Sequence, residues 1–145
     1  MANAKIQANL AGAMGGRLKG GPCGFCGSTL KIEATGRIRY PDAFVTCSRA
    51  PNTAIVVRDP VVLFEVLSPS KSGTDRIVTT LEHQAPPSVR RCVILEQDQI
   101  GATVFTRVAA DWTVNVLVAG AILSLPEIGS EASLDELSDD RDLTA

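Results

Sequence analysis

Asp42 and Glu65 are the two residues whose types and surroundings most clearly call for chemistry. Asp42 follows a proline, at a kink between two strand-like stretches. Glu65 stands 23 residues later, inside residues 61–67, a continuous apolar run of the kind that makes a strand buried on both faces. An acid in such a strand is costly unless it is paired, hydrogen-bonded or bound to a metal. A kinked strand beside a central strand can bring both carboxylates to one end of a sheet. Two carboxylates at one place suit a hard divalent cation, which takes oxygen ligands and keeps several waters. Such an ion lowers the pKa of a bound water and stabilises charge on a phosphodiester. The spacing alone equally allows Asp42 to be a turn residue and Glu65 to pair with an arginine.

Other constellations carry less. Cys23-Gly24-Phe25-Cys26 is a CxxC, either half of a zinc site or a redox pair. A structural zinc takes four ligands, and Cys47, Cys92 and His83 form no second pair. Small, partly buried thiols account for the cysteines as well, with Cys47 and Cys92 in strands. Oxidation would then join Cys23 to Cys26. Ser68-Pro69-Ser70-Lys71 matches a nucleophile motif in form, but that motif needs its Ser and Lys one helical turn apart, and Pro69 argues against a helix there. The glycines of residues 15–27 lack the Gly-Lys-Ser/Thr ending of a phosphate loop. Aromatic residues are 4% of the chain, too few for a base-stacking platform.

The elements that must position the acids follow from periodicity. Ile6, Leu10, Met14 and Leu18 predict a helix over 4–19, although three glycines weaken it. Residues 24–35 and 38–47 read as two strands around a turn at 35–37, the second interrupted at Pro41-Asp42. Residues 49–60 read as irregular and 61–67 as the central strand. A loop at 68–73 leads to a helix capped by Thr74 and running to about Gln84. Residues 92–95 form another buried strand, and 102–108 with 112–118 a hairpin. Ser133 caps a short helix, Leu134–Leu137, before a frayed acidic tail at 138–145. The expected architecture is α/β: a mixed central sheet flanked by helices, in one domain over 1–137, with a C-terminal hairpin.

The chain has 145 residues, 45% hydrophobic and 21% charged, which excludes a largely disordered protein. No apolar run is long enough to span a membrane and no signal peptide opens the chain, so the cytoplasm is the expected location. A net charge of −2 argues against coating nucleic acid by bulk charge. The charge is uneven. Residues 1–58 hold eight basic and two acidic residues, while 59–145 hold six basic and fourteen acidic ones. A mildly acidic total can therefore conceal a basic face.

The sequence resembles the Uma-type family, a branch of the PD-(D/E)xK restriction-endonuclease-like proteins. The segment Asp59-Pro60-Val61-Val62-Leu63-Phe64-Glu65-Val66-Leu67-Ser68-Pro69-Ser70 is the most specific part of the match. Ile38-Arg39-Tyr40-Pro41-Asp42 supplies the PD element. Gly20-Gly21-Pro22-Cys23, Asp75-Arg76, Val93-Ile94-Leu95 before Gln97, Leu125-Pro126-Glu127-Ile128-Gly129 and Leu134-Asp135-Glu136-Leu137 extend it over about residues 5–137. The resemblance implies an α-β-β-β-α-β core. It implies a metal site of Asp42, Glu65 and the backbone carbonyl of Val66. The ion would be Mg²⁺, with Mn²⁺ able to substitute, and the substrate double-stranded DNA, cut at its phosphodiesters. Cutting both strands usually takes two sites, so a homodimer is expected by analogy.

The chain also departs from the pattern. Leu67 stands where the signature lysine belongs, and Thr79 stands where many members supply it from the next helix. Such a lysine orients the attacking water or stabilises the developing charge. The metal-binding half is thus kept and the catalytic half altered. The alternative expectation is an inactive nuclease fold that binds nucleic acid, a protein partner or itself.

Overall fold

Ile6, Leu10, Ala13, Met14 and Leu18 recur at helical spacing, and in the computed structural model they form the buried stripe of α1 (Ala2–Leu18). The structure describes residues 2–27, 31–34, 37–39, 41–47, 56–57, 59–67, 84 and 87–138. The helix stops where Gly20 takes a φ of +81° and the Gly21 N–H bonds back to the Leu18 carbonyl at 3.0 Å.

The central sheet has six strands in the order β1-β4-β6-β7-β8-β9. They are β1 (Gly24–Gly27), β4 (Ala43–Thr46), β6 (Pro60–Leu67), β7 (Arg91–Glu96), β8 (Gly101–Val108) and β9 (Asp111–Val118). Only β6 and β7 pair in parallel, with Glu65 beside Ile94. The others are antiparallel, so the sheet is mixed, as expected. The apolar run predicted as the central strand lies inside β6, where all but Val61 and Glu65 are buried. The β8–β9 hairpin turns at Ala109, whose φ is +55°.

The sequence reading needs three corrections. Residues 24–35 are not one strand, and although 38–47 is interrupted at Pro41-Asp42 as expected, its two pieces lie in different sheets. β2 (Lys31–Ala34) and β3 (Arg37–Arg39) leave the central sheet and form a second, three-stranded one with β5 (Val56–Val57). Pro41 cannot donate to a ladder, and the chain changes sheets between β3 and β4 on either side of it. Residues 49–60 are not irregular throughout, because the β-branched pair Val56-Val57 adds to β2 in parallel. A second hairpin, β10 (Ile122–Leu125) with β11 (Ser130–Ser133), turns through a 3₁₀ helix, Pro126–Ile128, ending on Gly129 at φ +65°. The helix expected over 74–84 lies outside the described residues except for Gln84, and so does 139–145.

Alternation along the strands divides the core in two. Val62, Phe64 and Val66 face α1, the β10–β11 hairpin and α2 (Leu134–Leu137). Ser133 caps α2, as expected, its hydroxyl accepting from the Glu136 N–H. On the other face Phe44, Leu63 and Cys92 pack with Ile32 and Val57 of the small sheet. Asn9 Nδ2 donates to the Leu137 carbonyl at 3.1 Å and ties α1 to α2. The half-buried Arg91–Glu127 ion pair, at 2.8 Å, ties β7 to the 3₁₀ turn. No helix of the described residues is long and apolar enough to cross a membrane.

Candidate active site

The register of β4 against β6 decides where the two acids meet. The ladder ends at Ala43 against Phe64, so Asp42 and Glu65 are the next residues beyond it on each strand. Directly opposed residues in antiparallel strands share a face. The alternation agrees: Phe44, two residues from Asp42, and Leu63, two residues from Glu65, belong to the same cluster. Both carboxylates are half-buried and stand at one end of the sheet. Asp42 Oδ2 accepts a hydrogen bond from the Val66 backbone N–H at 2.8 Å. That bond spans the two strands and fixes the Asp42 carboxylate against the residue next to Glu65. The proline kink before Asp42 allows this, because a residue just outside the ladder can turn its side chain onto the neighbouring backbone.

The donor set fits one kind of ion and not another. Two carboxylates suit a cation that retains several waters, such as Mg²⁺. Among the described residues no three His, Cys, Asp or Glu side chains converge on a metal position, so the site does not match a closed four-ligand zinc centre. Leu67, at the signature lysine position, shares Glu65's side of β6 by alternation and is 2% exposed. A buried aliphatic side chain therefore stands where the resemblance leads one to expect a lysine. Thr79, Lys71 and Arg76 lie outside the described residues.

A further acid was missed in the sequence. Glu96 ends β7 beside Leu67, four residues beyond Cys92, and alternation puts it on the face that carries Glu65. It is half-buried. The signal was present, since an acid closing an apolar strand run sits at the same end as Glu65 whenever the two strands are parallel.

The cysteine reading is overturned. Cys23 is joined to Cys47, not to Cys26. Three residues along a strand reverse the face. Cys23 packs toward the α1 side and Cys26 toward the small sheet, so the CxxC pair points apart. Gly24 pairs with Thr46, which brings Cys23 and Cys47 to the same end of the β1–β4 ladder. Cys92 is a buried thiol as expected, its pKa pushed up to about 12 by burial against a smaller opposing effect from Arg107. Burial also raises the Cys26 thiol.

A family model described as "Putative restriction endonuclease", Uma2, matches residues 2–136. The chain belongs to the Uma2 family. None of the curated proteins matches it. Its fold is shared with a crystal structure from Anabaena variabilis ATCC 29413, a "putative nuclease belonging to DUF820". The TM-score is 0.74 at 17% identity, over 95% of this Uma2 chain and 80% of the other. The likeness is one of fold, over nearly the whole of this chain.

Proposed function

We propose that the chain is a divalent-metal-dependent endonuclease acting on double-stranded DNA, with Asp42 and Glu65 as metal ligands. The observation that carries this is the hydrogen bond from the Val66 N–H to Asp42, which ties one acid to the residue next to the other, just beyond the Ala43–Phe64 pair. Family membership and the shared nuclease fold support it. Asp42 and Glu65, with the Val66 carbonyl, would hold Mg²⁺, which supplies an acidified water and neutralises phosphodiester charge. The hydrogen bond to Asp42 orients one ligand in advance, which lowers the reorganisation required of the site.

A second reading rests on Leu67. With that position buried and apolar, the site keeps its ligands and has lost a charge-stabilising group, and the protein binds nucleic acid without cutting it. Plasmid cleavage with Mg²⁺ or Mn²⁺ separates the two. The enzyme reading expects cleavage that EDTA stops and that Asp42→Asn or Glu65→Gln reduces by about a thousandfold, the scale of a lost charge-stabilising group. Thr79→Lys should raise the rate. If neither the native chain nor Thr79→Lys cuts DNA with either metal, the enzyme reading fails.

A further inference from the structure

We propose that β9 is a self-complementary edge through which two copies of this chain join into one continuous antiparallel sheet. β9 ends the six-stranded order, and among the described residues no strand pairs with its outer side. Its eight residues, Asp-Trp-Thr-Val-Asn-Val-Leu-Val, contain no proline and no lysine, and the single charge is Asp111 at one end. Its pairing with β8 runs without a bulge through all eight positions. Proteins usually blunt an edge with lysine, proline, a bulge or a covering element. Among the described residues this edge is long, unbulged and uncovered.

The side chains point to a copy of the same strand. Val114, Val116 and Val118 are 56%, 72% and 66% exposed, and alternation places all three on one face. A two-fold axis at Asn115 sets Val114 against Val116 of the second copy and Trp112 against its Val118. On the opposite face it sets Thr113 against Leu117 and Asn115 against itself. Aromatic and β-branched cross-strand pairs of this kind are the favourable ones. A shift by one residue turns the valine stripe of one copy onto the polar face of the other, and a shift by two sets Val118 against Ala110 or Trp112 against Gly120, so the whole stripe pairs only about Asn115. Asp111 falls opposite Ala119, beyond the end of the strand, and the two copies' carboxylates never meet. The strand spans roughly 27 Å. Pairing along that length covers on the order of 500 Å² per copy, about 1,000 Å² in all, where a specific interface begins.

Sedimentation or light scattering of the native chain at micromolar concentration should read twice 15.3 kDa. Val116→Lys, at a residue 72% exposed in the single chain, should read 15.3 kDa. A monomeric native chain overturns the proposal, and so does a Val116→Lys variant that folds and stays dimeric. Cross-linking tests the register without relying on that variant. Oxidised Asn115→Cys should run as a covalent dimer on a non-reducing gel, and oxidised Thr113→Cys should not. No cross-link at Asn115, or equal cross-linking at both positions, also overturns it.

Discussion

Asp42 shows how a neighbour's backbone can fix the direction of a carboxylate. In sequence it is an acid after a proline, and a turn residue fits as well as a ligand. In the structure the Val66 N–H claims one of its oxygens at 2.8 Å and holds the carboxylate against the residue next to Glu65. The cysteines follow the same logic, and they carry a prediction. With Cys23 and Cys47 bonded, the unfolded, unreduced chain should give two thiols to Ellman's reagent and the reduced chain four. In the folded chain both remaining thiols should react slowly, because a raised pKa means less thiolate at neutral pH. The bond closes a 24-residue separation, and its reduction should lower stability by about 3 kcal/mol, measured by urea unfolding with and without reductant. Four thiols in the unreduced chain would refute the pairing. The eye falls on Cys23 and Cys26 because they are near in sequence, whereas pairing follows strand register, which spacing does not record.

At the scale of elements, periodicity was informative and sheet membership was not. The stripe from Ile6 to Leu18 and the alternation around Ala109 made α1 and the β8–β9 hairpin legible, because each is a local pattern. The division of residues 24–47 between two sheets was illegible. Strand-forming residues look alike whichever partner they find, and only Pro41 hinted at the break. The β10–β11 hairpin was missed as well. Its strands are four residues each, and its signal is confined to the Pro126-to-Gly129 turn. The three glycines of α1 do not interrupt it, and the helix runs unbroken from Ala2 to Leu18. Gly12 is exposed, and a Cβ added there would meet nothing within 4 Å. Gly12→Ala should therefore stabilise the protein by about 1 kcal/mol, seen as a higher Tm. A fall in Tm would mean that the position serves a contact instead.

For the whole molecule, the central sheet separates two faces. α1, α2 and the β10–β11 hairpin seal the first; the second packs the small sheet and, by alternation, is the side of the proposed metal ligands Asp42 and Glu65. Substitutions on the sealed side should alter stability and leave any metal-dependent activity per folded molecule unchanged. Leu137 is fully buried in that cluster. Leu137→Ala should cost about 3 kcal/mol in urea unfolding, the usual range for a buried leucine. A loss under 1 kcal/mol would show that α2 docks only loosely.

The contact between α1 and α2 also bears on how the chain is made. α1 leaves the ribosome well before the leucines of α2 that complete its burial, because the whole central sheet lies between them in the chain. At about 5–20 residues per second, the intervening chain takes roughly 6 to 24 seconds to synthesise. Throughout that time Ile6, Leu10 and Met14 lack part of their packing. The nascent protein must therefore carry an apolar helix in waiting, a natural point for chaperone capture and for premature association between neighbouring chains.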